Sequence, residues 1–561
     1  MNIDENADID RFTSRRSTVY GQRGVVATSQ PLASAAGIQM LREGGNAFDA
    51  AVATAAALNV VEPTSTGLGG DVFALYRTAD GDVGAMRACG GAPTEATIEN
   101  VRESVAEEKA VDFEDAEMPD TGAHTVTVPG TARGWEATVD VFGRLTLADA
   151  LQPAIRYATE GYPVSEVIAN AWTHGEEVFE TDNAREAFLF DDEAPDVGQT
   201  VTFPKLGATM EQIAEKGADV VYEGDIAEQI ANEVQSQGGF MTVDDLADFE
   251  VEFPDPVSTT YNGVEVFELP PNNQGLIALE ALNIAEEIGA HESELGSADR
   301  IHYFGEAMKL AFHDGHRYIP DPAYEEIPPL ASKEWAEKRA TAIGEEANDD
   351  VSFGVPDASD EAPGRQRPPN PQEPPEPPED SDTVLLTVAD DEGNVVSYIN
   401  SRFAGFGSGL VAGDTGIALQ NRGSSFSLDP SHPNRLEPGK RPFHTLIPGL
   451  IKFDEDDWAA FGVMGGYMQP QGHLQVVSNI VDYGMPLQAA LDYPRWRYRE
   501  DGSLAIEERT GDSVGTKLTR RGHDVRLLSP SLFGGAQIAR SDHGTLSAAT
   551  EPRKDGNAQG Y

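Results

Sequence analysis

The chain has 561 residues, and its 95 acidic and 40 basic side chains give a formal net charge of −55. This length exceeds that of one small domain, and a hydrophobic content of 39% is enough for a substantial core. So acidic a surface repels phosphate, which disfavours nucleic acid and anionic membranes as partners. Because only ten of the basic residues are lysines, the composition predicts a halophilic protein that is soluble at high salt, where repulsion is screened. An acidic protein of ordinary salt conditions is the alternative.

The cysteine content and the hydropathy of the chain exclude further classes of protein. The single cysteine, Cys89, cannot form an internal disulfide or a multi-cysteine metal site. The longest apolar stretch, 47–61, is interrupted by Asp49 and other polar residues, and the N-terminus has no signal pattern. We therefore expect a cytoplasmic protein with no membrane partner.

The first predicted elements are two helices and a strand. Apolar spacing predicts a helix over 31–43, and Asn46 is expected to cap a second helix that ends before Pro63. The second helix consists mostly of Ala, Val and Leu, so it should be buried. A glycine-rich turn at 67–70 then leads into a strand over 72–76. Further on, the pattern predicts helices at 147–159, 210–216 and 298–313.

A composition break at 356–382 divides the chain. This segment has Pro-Pro pairs at 368, 374 and 377 among acidic residues, which is typical of an extended linker. It is either a surface loop joining two domains or a cleavage site. A β-hairpin is predicted directly after it, with strands 383–389 and 395–401, followed by strands at 445–453 and 458–464. The polar tail, 540–561, is predicted to be mobile.

An ordered series of sequence blocks resembles the γ-glutamyltransferase family. The blocks run in family order from about Gly24 to about Arg499 and include 25–37, 44–51, 61–63 with 67–70, 128–135, 269–275, 382–383, 405–409, 439–445 and 465–466. The resemblance implies an α+β fold of the N-terminal-nucleophile hydrolase type. This is an αββα sandwich of two stacked, mainly antiparallel sheets flanked by helices.

The resemblance also implies a precursor that cuts itself between Asp382 and Thr383. The large subunit would be 1–382, including the linker 356–382, and the small subunit would be 383–561, beginning at the nucleophile. Together the subunits would form one αββα fold, as an αβ heterodimer that can oligomerise further.

Cleavage before Thr383 has a chemical purpose. A threonine hydroxyl is a weak nucleophile and needs a base nearby. Breaking the preceding peptide bond frees an α-amine with a pKa of about 8, which can accept the hydroxyl proton. The chemistry needs no metal and no organic cofactor.

Further catalytic positions follow from the resemblance. Gly465 and Gly466 match the family pair whose backbone N–H groups stabilise the oxyanion, and glycine permits that close approach. Ser401 matches the position whose hydroxyl supports the nucleophile. Without the resemblance, these residues would be an ordinary turn and a strand-end serine.

The substrate clamp of the family is only partly present. The Arg that holds the substrate carboxylate falls on Cys89, with Arg87 two residues earlier, and the Asp that holds its amine falls on Ser425. Other positions of the clamp fall on Arg422, Phe403, His444 and Thr445. We expect the substrate to contact Arg87, Arg422, Ser425, His444 and Thr445. Alternatively, both arginines pair with the abundant acidic side chains.

The predicted function is hydrolysis or transfer of a γ-glutamyl or related acyl group from small glutathione-like amides. The acyl group would pass through an ester of Thr383 to water or to an acceptor amine. One alternative is an amidase or acylase of the same fold with a non-glutamyl substrate. Another is an unprocessed, non-catalytic binding protein.

Overall fold

A computed structural model describes residues 16–348, 351–356 and 383–561. Nearly all of the predicted linker, 356–382, lies outside the described residues, and so does Asp382 of the predicted cleavage site.

The described residues form eighteen strands. In chain order they are β1 Val19–Gly21, β2 Gly24–Thr28, β3 Asp71–Arg77, β4 Val83–Ala88, β5 Tyr162–Pro163, β6 Thr200–Val201, β7 Val257–Tyr261, β8 Val264–Glu268, β9 Val384–Asp390, β10 Val395–Ser401, β11 Gly449–Asp454, β12 Asp457–Met464, β13 Trp496–Tyr498, β14 Leu504–Glu507, β15 Val525–Leu528, β16 Gly535–Asp542, β17 Thr545–Thr550 and β18 Asn557–Gly560.

The same residues form eighteen α-helices. They are α1 Pro31–Arg42, α2 Ala47–Val61, α3 Ile98–Lys109, α4 Thr131–Phe142, α5 Leu147–Glu160, α6 Glu166–Trp172, α7 Gly175–Val178, α8 Asp182–Phe188, α9 Pro204–Lys216, α10 Asp219–Tyr222, α11 Asp225–Ser236, α12 Val243–Ala247, α13 Gly275–Glu287, α14 Ala298–Tyr318, α15 Lys333–Ala340, α16 Met468–Val481, α17 Leu487–Asp492 and α18 Asp512–Arg520.

Two large antiparallel sheets form the centre of the molecule. One has the order β18-β2-β9-β10-β3-β4, and the other has the order β1-β17-β16-β12-β11-β8-β7. Both sheets combine strands from before and after the segment 357–382. The two predicted subunits therefore contribute to the same sheets.

Three apolar layers hold the sheets and helices together. The first lies between the six-stranded sheet and helices that include α1, α2 and α5. The second lies between the seven-stranded sheet and helices that include α13, α14 and α16. The third fills the gap between the sheets, with Leu385, Ile399 and Ala460 fully buried. The fold is the predicted αββα sandwich.

The predicted hairpin and helix cap are both confirmed. β9 and β10 are antiparallel, with Val384 opposite Asn400 at one end of the hairpin and Ala389 opposite Val395 at the other. Asn46 caps α2, and Asp49 closes the capping box by accepting from the Asn46 backbone N–H. Every residue of α2 is buried, since the helix packs on β9 and β10 beneath other helices.

The prediction of a mobile C-terminal tail is wrong. The region 540–561 contains the end of β16 and all of β17 and β18. Leu546, Ala548 and Ala549 are fully buried, and β18 pairs with β2 at the edge of the six-stranded sheet. Because such short strands of small residues are stabilised by their partners, local sequence gave little sign of them.

Other element boundaries differ more modestly. The strand predicted at 445–453 begins only at Gly449, and α9 and α14 extend beyond the predicted 210–216 and 298–313. Among the described residues, no helix has the length and apolar character needed to cross a membrane.

Candidate active site

Thr383, Ser401 and Asp71 lie side by side at the ends of three neighbouring strands, with Thr383 directly before β9. Leu385 faces the gap between the sheets, and side chains alternate along a strand, so Thr383 faces the same gap. Ser401 pairs with Asp71 across β10 and β3. Thr383 lies opposite Ser401, one residue beyond the last pair of β9 and β10. The pattern of the sheet therefore brings these three side chains to one end of the gap.

The nucleophile candidate is held by a short chain of hydrogen bonds. Thr383 is 3% exposed, and its Oγ1 donates to Ser401 Oγ at 3.2 Å. Ser401 Oγ also accepts from the backbone N–H of Phe403 at 2.8 Å. Phe403 has a φ of +86°, which is strained for a residue with a side chain. This strained turn aims its N–H at Ser401 and so fixes the hydroxyl beside Thr383.

Gly465 and Gly466 form a turn between β12 and α16. Their φ values of +115° and +53° belong to a region that favours glycine. The buried Gln274 side chain donates to the carbonyl of Gly466 at 2.8 Å and to that of Thr445 at 2.7 Å. Gln274 thus fixes the orientation of the glycine turn relative to Thr445.

Asp71 and His444 form a buried pair next to Ser401. His444 Nε2 lies 3.1 Å from Asp71 Oδ2, and His444 Nδ1 accepts from the Leu446 N–H, so Nε2 carries the proton and donates. Burial, with Arg422 nearby, lowers the pKa of His444 well below its ordinary value, so the ring is neutral. Burial raises the pKa of Asp71 to about 7, although Arg422 acts in the opposite direction.

Arg422 is completely buried on the other side of Phe403. Its guanidinium carbon lies 4.2 Å from the centre of the Phe403 ring, and Nη1 donates to Thr445 Oγ1 at 2.9 Å. Burial lowers the pKa of Arg422 to about 10, so the group is still charged at neutral pH. Nε and Nη2 have no hydrogen-bond partner among the described residues.

Arg87, in contrast, is engaged within the protein through Nε and Nη1. Its Nε pairs with Glu252 at 3.0 Å, and Nη1 donates to the carbonyl of Pro271 and to Asn272 Oδ1. Glu252 also binds Arg441 at 2.6 Å. This network matches the alternative that the arginine pairs with acidic residues, and substrate contact by Arg87 stays a prediction.

Ser425 does not replace the missing carboxylate of the clamp. Its hydroxyl lies 2.9 Å from the Arg422 carbonyl and 3.0 Å from the Phe443 carbonyl. The side chain is neutral and fixes the turn that carries Arg422.

One group of described side chains has the spacing of a metal site, and it lies outside this constellation. His302, Glu306 and His523 bring their ligand atoms within 4.8 Å of one another. However, the two imidazoles are hydrogen-bonded at 2.8 Å and Lys309 pairs with Glu306 at 2.7 Å. Protein groups therefore already engage part of the ligand atoms of this cluster.

The structure joins most of the predicted site residues through direct contacts. Hydrogen bonds or ring contacts connect Thr383, Ser401, Arg422, Ser425, Thr445 and Gly466 through Phe403, Gln274 and the backbone of Arg422. Sequence reasoning missed Asp71 and Gln274. Asp71 directly follows the family block at 67–70, and Gln274 lies inside the block at 269–275. For Asp71, the signal in the sequence was a carboxylate at the start of a predicted buried strand.

Comparison with known proteins agrees with this architecture. The family model described as gamma-glutamyltranspeptidase matches residues 33–561. The glutathione hydrolase-like YwrD proenzyme of Bacillus subtilis is 37% identical, covering 97% of this chain and 99% of that protein. The oxamate amidohydrolase proenzyme of Klebsiella pneumoniae is 34% identical, covering 97% of this chain and 100% of that protein.

A solved structure extends the likeness to the fold. The crystal structure of cephalosporin acylase from Bacillus halodurans superposes with a TM-score of 0.86 at 41% identity, covering 98% of each chain. All three proteins match nearly the whole of this chain but differ in their named substrates. The chain belongs to the γ-glutamyltranspeptidase family of N-terminal-nucleophile hydrolases.

Proposed function

We propose that this protein is a precursor that cuts itself between Asp382 and Thr383 and then acts as an amide hydrolase or acyltransferase. The observation that carries the proposal is the 3.2 Å contact between the hydroxyls of Thr383 and Ser401. It occurs on the first residue of the hairpin, at the end of the gap between the sheets. A buried hydroxyl pair that contacts link to a glycine turn, through Phe403, Arg422, Thr445 and Gln274, suits nucleophilic attack on a carbonyl.

The reaction proceeds in two halves. The freed α-amine of Thr383 takes the hydroxyl proton while Oγ1 bonds to the substrate carbonyl carbon. The N–H groups of the turn at Gly465 and Gly466 stabilise the resulting oxyanion. The C–N bond then breaks, the amine leaves with the transferred proton, and an ester of Thr383 remains. Water or an acceptor amine attacks this ester and restores the hydroxyl.

The acyl donor we propose is a γ-glutamyl or related amide of the glutathione type. Support comes from the family match and from a relative named glutathione hydrolase-like. Release to water and transfer to an acceptor amine are both consistent with the ester intermediate.

A second candidate is an amidase or acylase with a non-glutamyl substrate. Ser425 favours it, because a neutral hydroxyl that lies against two backbone carbonyls cannot neutralise a substrate ammonium group. The names oxamate amidohydrolase and cephalosporin acylase among the similar proteins point the same way.

Processing and turnover of matched threonine variants test the proposal. The Thr383→Ala variant is expected to stay as one 60.1 kDa chain and to lose turnover of γ-glutamyl-p-nitroanilide. Thr387→Ala is the control, since Thr387 is on the same strand and the same face, and its buried hydroxyl has no described partner. The control should be cleaved and active.

N-terminal sequencing and trapping complete the test. The mature wild-type protein should yield a terminus beginning Thr-Val-Leu-Leu, and a glutamyl-like electrophile should add its mass to the small fragment. A full-length wild-type protein that turns over amides would contradict the mechanism. A full-length and inactive one would support the binding-protein alternative.

A further inference from the structure

A buried hydrogen bond joins the large predicted subunit to the helix that follows the glycine turn. His473 Nδ1, on α16, lies 2.6 Å from Glu268 Oε1, at the end of β8. Both side chains are completely buried. Because an ionised carboxylate only accepts hydrogen bonds, the shared hydrogen belongs to Nδ1. Neither residue takes part in the proposed reaction.

Three neighbouring strands form the surface on which the His473 ring packs. Glu268, Gly449 and Phe461 lie in one row across β8, β11 and β12. Side chains alternate along a strand, so all three positions face α16 and the apolar layer beneath it. A Cβ at Gly449 would lie 2.6 Å from the Phe461 ring, so this ring needs the glycine. The centroids of the His473 and Phe461 rings are 4.6 Å apart.

The glycine turn is bonded directly to the start of α16. Met468, the first residue of the helix, donates its N–H to the Gly465 carbonyl at 2.9 Å, and Gln469 donates to the Gly466 carbonyl at 3.2 Å. His473 lies further along the same helix, about 7.5 Å from Met468 along the axis. A displacement of His473 would therefore displace the turn as well.

The large predicted subunit holds the turn and the helix at two points. Gln274 donates to the Gly466 carbonyl at 2.8 Å, and Glu268 binds His473. Glu268 Oε2 and His473 Nε2 have no hydrogen-bond partner among the described residues. Each of these two side chains therefore depends on the other for its polar contact.

We propose that Glu268 and His473 are positioning residues, whose hydrogen bond holds α16 so that the turn at Gly465 and Gly466 faces the developing oxyanion. The inference rests on the proposed function, since it concerns the placement of the turn used in the same reaction. Both side chains act through the backbone of α16. Their loss should therefore weaken binding of the transition state more than binding of the substrate.

Replacing both residues by leucine separates positioning from stability. The Glu268→Leu/His473→Leu double variant leaves no buried polar group without its partner, so it should unfold at about the wild-type temperature. We expect kcat for γ-glutamyl-p-nitroanilide to fall by about 10- to 100-fold, the usual effect of a displacement of about 1 Å, with KM changed by less than about threefold. His473→Asn should keep most of the activity, because its amide can donate to Glu268 from the place of Nδ1.

Tyr261→Phe is the matched control at the other end of α16. Tyr261, on β7, donates to Asp482 Oδ2 at 2.8 Å, and Asp482 is the C-terminal cap of the helix. This hydrogen bond also joins the large predicted subunit to α16, but it lies about 20 Å from the turn. The control should keep its kcat. Gel analysis of subunit formation and thermal unfolding show that each variant matures and folds.

A transition-state analogue provides a readout that a loss of stability alone would not change. Butaneboronate bonds through boron to Thr383 Oγ1, the hydroxyl proton passes to the α-amine, and the tetrahedral anion that forms resembles the oxyanion. Butyramide, with a planar carbonyl, resembles the substrate. The double variant should bind butaneboronate more weakly by about the factor by which kcat falls, and should bind butyramide as the wild type does.

Wild-type kcat and wild-type affinity for butaneboronate in the double variant would overturn the inference. An equal fall of kcat in Tyr261→Phe would overturn it too, since any loosening of α16 would then have the same effect. A wild-type protein that is neither cleaved before Thr383 nor active would instead contradict the proposed function.

Discussion

At the scale of single residues, the proposed chemistry depends on two hydroxyls and one strained turn. Ser401 Oγ lies within hydrogen-bond distance of both Thr383 and the Phe403 N–H. The first contact orients the nucleophile, and the second orients Ser401. Loss of the Ser401 hydroxyl should therefore affect reactivity more than stability.

We predict that Ser401→Ala slows both self-cleavage and turnover by about tenfold, the worth of one hydrogen bond to the reacting group. Ser397→Ala is the matched control, because Ser397 lies in the same strand and donates to the Phe461 carbonyl at 2.8 Å. The control should lose about 1 kcal/mol of unfolding free energy and retain its kcat. Equal kinetic effects of the two substitutions would count against a special role of Ser401.

Asp71 gives a second prediction at this scale. Burial raises its pKa from the ordinary value of 3.8 to about 7 in the folded protein, so the folded state binds more protons than the unfolded state between these pH values. The contribution of Asp71 to stability therefore falls as pH rises from about 4 to about 7, by about 4 kcal/mol in total.

The Asp71→Asn substitution should remove that pH dependence. The measurement is the free energy of unfolding against pH, compared in the Thr383→Ala background, which we expect to remain a single chain. The wild-type Asp71 protein should lose stability relative to Asp71→Asn across this range. Parallel curves for the two proteins would show that the Asp71 carboxyl titrates normally.

At the scale of elements, the turn between β12 and α16 has a backbone conformation and surroundings that disfavour a side chain at Gly465. A Cβ at Gly465 would lie 3.1 Å from Gly534 Cα, and the φ of +115° is unfavourable for alanine. Gln274 holds the next carbonyl, that of Gly466, from the N-terminal end of α13. The turn is thus positioned by an element from the other predicted subunit.

We predict that Gly465→Ala costs about 1–3 kcal/mol of stability and lowers kcat by about 100-fold. Gly484→Ala is the control: Gly484 has a φ of +60°, is exposed, and has open space around its Cβ position. It should lose about 1 kcal/mol with no change in kcat. Steady-state kinetics on the mature variants, with thermal unfolding, separates the two effects. A Gly465→Ala protein with normal kcat would exclude the turn from the catalytic step.

At the scale of the whole molecule, the charge of −55 must be carried largely by the surface. Several buried acidic groups are paired with arginines, as in the network of Glu507 and Glu551 with Arg495 and Arg553. The remaining carboxylates repel one another over a distance that depends on the salt concentration. The screening length falls from about 10 Å at 0.1 M to about 3 Å at 1 M.

We predict that the melting temperature rises between 0.1 M and 1 M KCl, since screening reduces this repulsion in the folded state. Sucrose at equal osmolality is the control, because it favours compact states without screening charge. An increase that sucrose reproduces, or no increase in KCl, would contradict the prediction of a halophilic protein.

Much of the fold and several candidate site residues could be predicted before the structure. The hairpin and the capping box of α2 depend on local patterns, and the ordered blocks identified the family and hence Thr383, Ser401 and the glycine pair. The tail 540–561 could not be predicted, because β18 is stable only against β2. Asp71 was missed because its importance comes from pairing with Ser401 across two strands far apart in the chain.

The sequence by itself determined the family, the order of the elements and the residue types available for catalysis, because these depend on local patterning and on blocks in a fixed order. Only the tertiary structure showed how the surroundings of the two arginines differ. Arg87 is engaged by Glu252, whereas Arg422 keeps one guanidinium edge unpartnered among the described residues. The physical reason is that an arginine keeps free donors where folding leaves it without a nearby anion, and the sequence does not show which carboxylates fold close to it.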